Sequence, residues 1–243
     1  MSLYPIWLDT DSSNIEFPHP DHALTDPDGL LAVGGDLSVQ RIINAYLNGI
    51  FPWYSGNQPI LWWSPNPRAV LFPEKLHVSK SLKKCIRKSN FTTTIDQSFE
   101  QVIDYCAQTP RKNQDGTWIT DEMKQAYINL HKSGIAHSAE CWSGDQLVGG
   151  LYGLALGKVF FGESMFSHQT NASKVAFVHL VDELIKSDYA LIDCQVTNDH
   201  LLTLGAEEIP RNQFLKLVEI HTRPFLDALV NTDVKNNWLA LVP

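Results

Sequence analysis

Three strand-like runs, about Ile135–Trp142, Gln146–Ala155 and Val159–Ser164, are separated only by "SGD" and "LGK", turns too short for anything but an antiparallel meander. The next segment opens at Asn171, a residue suited to a helix N-cap, and runs to Lys186 with apolar residues on nearly every side of its middle. A helix of that kind has no solvent face and must lie against a sheet. A further strand, Ala190–Val196, follows it, then a helix near His200–Leu204 and a helical stretch around Phe214–His221. Upstream, Thr120 caps a helix over Asp121–Lys132 with two acids in its first turn and Gly134 after its end.

The first ~65 residues read differently. One helix, Val39–Asn48, is opened by Ser38 and closed by Gly49, while prolines at 52, 59, 65 and 67 forbid long regular elements. The chain therefore divides into a small N-terminal α/β module, 1–67, and a larger part, 68–243. At 243 residues, 44% hydrophobic and 19% charged, it is globular rather than disordered. A net charge of −8 excludes a generally basic nucleic-acid coat and permits a cationic substrate. Four cysteines without a CxxC pair give neither a disulfide framework nor a zinc site. No basic leader precedes an apolar run, and no run approaches ~20 apolar residues, so a soluble cytoplasmic protein with no membrane partner is expected.

Two acids stand in apolar surroundings, Glu163 in "FFGESMF" and Asp193 in "ALIDCQV". A carboxylate buried without partners is costly, so each needs a cation or hydrogen-bond donors. Alternation along the strand puts Asp193 and Gln195 on one face with Leu191, and Ile192, Cys194 and Val196 on the other. The same rule separates Phe160 from Glu163 unless Gly162 marks a bulge.

Six of the 19 Lys and Arg residues lie in "KLHVSKSLKKCIRKSN", with no acid among them. Ser79 caps a helix there on which Leu82 and Ile86 face inward and Lys80, Lys83, Lys84 and Arg87 face solvent, a cluster suited to a phosphate backbone. The glycines at 149, 150, 153 and 157 do not form GxGxxG, and GxxxxGK[ST], HExxH and GxSxG are missing. The nine histidines show no ligand spacing, and His137, His168 and His200 read as structural or surface residues.

The order meander, buried helix, strand and short helix ending in "LGA" is similar to the core of GNAT-type acyltransferases. More specifically, "GLLAVGGDLS", "GIFPWY", "PILWWSPNPRAVL", "TWIT", "AHSAECW", "LVGGLYG", "FFGESMFS", "NASK", "LIDCQV" and "HLLTLGAEEIPR" together resemble the leucyl/phenylalanyl-tRNA–protein transferase family, from about Phe17 to Arg211. The resemblance implies an α+β protein, with a GNAT-like acyltransferase C-terminal domain (a mixed sheet with helices) behind the small N-terminal module. It implies transfer of Leu, Phe or, less well, Met from aminoacyl-tRNA to proteins beginning with Arg or Lys, marking them for N-end-rule degradation. By motif, the aminoacyl pocket falls on Trp53, Trp118, Leu151, Phe160 and Ile192. Asp193 and Gln195 then become catalytic, with Glu163 nearby contacting an amino or basic group, and the basic helix becomes the tRNA-binding element. At its start this chain has Ser79-Lys80-Ser81 where many members have Ser-Arg-Ser, and lysine lacks the planar two-point grip of arginine.

An ordinary aspartate near pKa ~3.9 would draw a proton from an ammonium near ~8 at a cost of roughly 5 kcal/mol. The amine is therefore expected to enter neutral and to lose its proton after attack, with Asp193 and Gln195 positioning it. The ester supplies the driving force, so no cofactor, ATP or metal is required. The rival reading is a coenzyme-A-dependent N-acetyltransferase of the same fold, which would need a glycine-bearing stretch where this chain has "SHQTNASK". A non-enzymatic RNA-binding module is the third reading, and it leaves the two buried acids without a role.

Overall fold

The computed structural model describes residues 4–10, 14–56, 58–109 and 119–229. Four short strands, β1 (Ile6–Leu8), β2 (Leu30–Gly34), β3 (Phe51–Pro52) and β4 (Leu61–Trp63), form a sheet in the order β1-β2-β4-β3. Helix α1 (Val39–Leu47) lies between β2 and β3; Ser38 Oγ accepts the Arg41 N–H at its start. Gly49 follows it at φ +69°. A side chain there would also strike Leu215 Cδ2 at 2.5 Å, so both conformation and space ask for glycine.

The larger sheet has seven strands. They are β5 (Arg68–Leu71), β6 (Phe91–Ile95), β7 (Ala136–Ser143), β8 (Gln146–Leu156), β9 (Val159–Ser167), β10 (Leu191–Gln195) and β11 (Glu207–Ile209), in the order β11-β5-β10-β9-β8-β7-β6. The expected meander is β7-β8-β9, antiparallel throughout. The fold class is mixed as expected: β10 runs parallel to β9 and antiparallel to β5. The helices are α2 (Lys80–Lys88), α3 (Phe99–Gln108), α4 (Asp121–Lys132), α5 (Ala172–Lys186), α6 (Asp199–Thr203) and α7 (Arg211–Leu229).

Helix α5 makes the crossover from β9 to β10 and buries Val175, Ala176, Phe177, Leu180, Val181 and Leu184 on one sheet face with Leu151, Phe160 and Ile192. It approaches that closely because Gly149 has no side chain: a Cβ there would meet Ala172 at 2.5 Å. Its start corrects one expectation. Asn171 stands at φ +70° and makes no side-chain cap; Ser167 Oγ instead takes the Ser173 N–H at 3.2 Å. The opposite face is covered by α3, α4 and α7 in a cluster that continues through Tyr46 and Trp62 of the smaller sheet's surroundings. A division at residue 67 falls between β4 and β5, and buried side chains are continuous across it.

Candidate active site

Strands β9 and β10 pair only through Val159–Phe161 and Leu191–Asp193. Beyond those residues they part, and a cavity of about 230 Å³ opens between them. Leu151, Phe160, Met165, Phe177, Ile192 and Leu201 form its apolar wall, and Glu163, Asp193, Gln195, Asn198 and His200 bring polar groups to it. An apolar hollow with a few converging polar groups is the usual form of a small-ligand site.

Two backbone irregularities assemble the polar end. On β9 the register with β8 slips between Tyr152, opposite Ser164, and Gly153, opposite Gly162, so Glu163 is the extra residue of a bulge. Glu163 turns to Tyr46 and Tyr127, on the face opposite Phe160 as alternation expects, and both residues still line the cavity because it opens at the bulge where the strands part. On β10 a second slip lies between Asp193 and Gln195, and Gln195 adopts φ +61°, a conformation rare outside glycine. Gln195 thus departs from the regular pleat that would set it on one face beside Asp193; its amide swings to Glu163, Nε2 donating to Oε1 at 3.0 Å.

Asp193 is wholly buried and arrives already paired. Arg68 donates from Nε to Oδ1 at 2.8 Å and from Nη2 to Oδ2 at 2.6 Å, and the Gln195 N–H donates to Oδ1 at 2.9 Å. Arg68 Nη1 donates to the Gly49 carbonyl at 3.1 Å, and its guanidinium lies 4.8 and 4.5 Å from the rings of Phe51 and Phe214. The contacts of Asp193 are therefore those of a group that fixes the Gln195 turn, rather than of one holding an amine directly.

Glu163 accepts from Tyr46 Oη at 2.6 Å and from Tyr127 Oη at 2.8 Å, and the two hydroxyls lie 2.6 Å apart. Burial, reinforced by the Asp193 charge, pushes its carboxyl up to about 8 although the tyrosine hydrogen bonds and Arg68 pull the other way. Burial first, and then Glu163, raise both phenols well above their usual range, so they remain protonated. Cys194 also lines the cavity; burial, with Asp193 adding to it, raises its thiol far above the usual value and makes it a poor nucleophile.

Of the five residues expected in the aminoacyl pocket, Leu151, Phe160 and Ile192 line this cavity. Trp53 does not: it is 37% exposed just after β3, its ring 5.8 Å from that of Trp63, whose Nε1 donates to the Trp53 carbonyl at 2.6 Å. Pro52 ends β3 there and leaves Trp53 on the Trp63 side. Trp118 lies outside the described residues. Lys80, Lys83, Lys84 and Arg87 are all exposed on α2, away from the cavity wall, and none forms an ion pair among the described residues. Ser79 caps that helix as expected, while Ile86 is 37% exposed and does not face inward with Leu82.

Sequence reasoning missed Arg68, Tyr46, Tyr127, Phe177 and His200. A signal for Arg68 was present but unused: a buried acid needs a cation or donors, and "RAVL" carries an arginine at the head of an apolar run. His200 is a correction: it lines the cavity, with Nε2 buried and unpaired among the described residues, and burial together with Lys174 lowers its pKa, so the ring is neutral at pH 7. Tertiary folding also gathers Asp96, His131 and His137, whose ligand atoms lie within 4.8 Å of one another. A metal there would have to displace internal contacts: Asp96 takes the Ser138 N–H at 2.8 Å and His137 Nδ1 at 2.7 Å, and His131 Nδ1 meets the Ala136 carbonyl at 2.8 Å. No helix among the described residues is long and apolar enough to cross a membrane.

Residues 70–219 match the family profile described as leucyl/phenylalanyl-tRNA protein transferase, and residues 35–66 match the one described as its N-terminal domain. Curated relatives named leucyl/phenylalanyl-tRNA–protein transferase include one from Hahella chejuensis, 56% identical over 89% of this chain and 91% of its own length. Another, from Azotobacter vinelandii, is 58% identical over 83% and 88%, and a third, from Ectopseudomonas mendocina, is 52% identical over 96% and 99%. Profile matches spanning both parts of the chain and relatives above half identity have one meaning: this chain belongs to the leucyl/phenylalanyl-tRNA–protein transferase family.

Proposed function

We propose that this chain is a cytoplasmic aminoacyltransferase that moves leucine or phenylalanine, and less readily methionine, from its ester on tRNA to the α-amine of a protein beginning with Arg or Lys, marking that protein for degradation. Family membership supports the reaction class. The observation that carries the chemistry is the cavity of about 230 Å³, whose apolar wall suits an uncharged side chain and whose polar end holds Glu163 and Gln195. The esterified residue lies with its side chain against Leu151, Phe160, Phe177 and Ile192 and its carbonyl toward Gln195.

The acceptor amine enters neutral and attacks the ester carbonyl; the new C–N bond forms as the C–O bond to the ribose breaks. Gln195, held by its left-handed turn and by Asp193, orients the reacting groups, and Arg68 keeps that turn in place. Asp193 is in this reading a positioning residue. An ordered, mostly apolar surround excludes water from the ester and favours aminolysis over hydrolysis. Lys80, Lys83, Lys84 and Arg87 supply an exposed cationic helix for the tRNA backbone in an otherwise acidic protein.

Transfer of radiolabelled leucine from Leu-tRNA to peptides beginning with Arg, Lys or Ala tests the proposal. Labelled Arg and Lys peptides with an unlabelled Ala peptide are expected. Absence of transfer, together with tight binding of acetyl-coenzyme A by calorimetry, would replace it with the N-acetyltransferase reading.

A further inference from the structure

The contacts among Tyr46, Tyr127 and Glu163 close a ring through four oxygens: 2.6 Å between the hydroxyls, 2.6 Å from Tyr46 to Oε1 and 2.8 Å from Tyr127 to Oε2. Each of these distances requires a proton between its two oxygens. The two phenols bring two protons to three contacts. With Glu163 ionised, one contact is left with two facing lone pairs, either between the hydroxyls or between a hydroxyl and a carboxylate oxygen. With Glu163 protonated, one phenol donates to the carboxyl, the other donates to the first phenol's oxygen, and the carboxyl O–H fills the third contact by donating to that second phenol, so the ring is complete. Gln195 Nε2, the third partner of Glu163, does not enter the ring and donates to Oε1.

We propose, resting on the aminoacyl-transfer reading above, that Glu163 stands in the resting site as a neutral acid completed by the Tyr46–Tyr127 ring, and that it protonates the ribose oxygen as this leaves the ester. In the ring the carboxyl proton lies toward a tyrosine oxygen; Glu163 lines the cavity while both tyrosines are wholly buried, so Glu163 is the one member whose proton can turn out of the ring to a substrate oxygen. As the C–O bond breaks, the electron pair goes to the ribose oxygen and the Glu163 proton goes with it. The adduct's ammonium nitrogen, now strongly acidic, returns one proton to the Glu163 carboxylate. The amine has lost one proton and the ribose oxygen has gained one, so the residue ends as it began. Other charges facing the group do not change this. Asp193 is matched by Arg68; Tyr46 and Tyr127, from α1 and α4, stay protonated; and His200 and the Cys194 thiol are neutral.

Glu163→Gln separates this role from that of an anion receiving the acceptor's cation. The amide can complete the same ring, its NH2 donating to one hydroxyl and its oxygen accepting from the other, but it has no acidic proton to give. In steady-state transfer with Leu-tRNA and an Arg-initiated peptide, Glu163→Gln should lower kcat by about 100-fold or more with the peptide KM changed by less than about twofold. Wild-type kcat should decline above about pH 8 as the acid ionises, and the variant's residual rate should not. The wild-type minus Glu163→Gln infrared difference at pH 6.5 should contain a protonated carboxyl stretch that vanishes by pH 9. A raised KM with kcat retained, or a difference spectrum showing only carboxylate at pH 6.5, overturns the proposal. Wild-type protein that transfers nothing refutes the functional reading instead, and the infrared result still decides the protonation state.

Discussion

Arg68 and Asp193 are diagonal neighbours on one face of two antiparallel strands: Asp193 is in register with Val70, and Arg68 is two residues along β5 on the same side. That placement gives a two-pronged ion pair at 2.8 and 2.6 Å with neither side chain exposed. Through Gly49 and Phe214 it also reaches the end of α1 and the face of α7.

Breaking this pair leaves one charge buried alone. Asp193→Ala should lower unfolding free energy by about 3–5 kcal/mol, measured by urea denaturation. Arg68→Met combined with Asp193→Leu should recover most of that stability and none of the turnover, because the Gln195 turn has lost its anchor. Full activity in the stable double variant would show that the pair has no part in catalysis.

A carboxyl held up to about 8 has a stability signature of its own. Between its ordinary value near 4.5 and about 8 the folded state keeps a proton that the unfolded state has released. Unfolding free energy therefore falls as pH rises through that window, by up to a few kcal/mol, and the contribution is flat above and below it. Glu163→Gln removes the slope, so the variant should gain on the wild type from pH 5 to pH 8 in thermal melts. Parallel curves for the two proteins would contradict the raised pKa.

The cavity wall sets side-chain preference. Leu151→Phe places a ring in a space of about 230 Å³ and should reduce transfer of phenylalanine relative to leucine by about 10-fold or more, read as a ratio of kcat/KM values. An unchanged ratio would mean that the aminoacyl side chain lies elsewhere.

Helix α2 carries its charge in water, so its effect on RNA should depend on salt. Replacing Lys80, Lys83, Lys84 and Arg87 together with alanine should weaken tRNA binding and flatten the plot of log affinity against log salt by about 0.7–0.9 for each phosphate the helix no longer neutralises. Transfer to the peptide at saturating tRNA should persist. An unaltered salt slope would remove α2 from the RNA interface.

Sequence alone determined the meander, the span of α5, the α4 helix and the presence of two acids needing partners, because periodicity, caps and turns act over a few residues. Several short elements were not legible: β1, β5, β6 and β11 have three to five residues each, too few to display a period, and exist by pairing with distant strands. The partners of the acids were equally hidden. Arg68 is 125 residues from Asp193, and Tyr46 is 117 from Glu163. The demand for a cation or a donor is a local property of a buried carboxylate, but which residue meets it depends on the strands and helices that folding lays alongside. Trp53 makes the same point in reverse, since an indole in an apolar motif can pack inward or outward, and here it lies beside Trp63, outside the cavity lining. Tertiary structure therefore decided the charge states of the site: its two bulges aim Glu163 and Gln195 at one another, and the surrounding burial fixes which group keeps a proton.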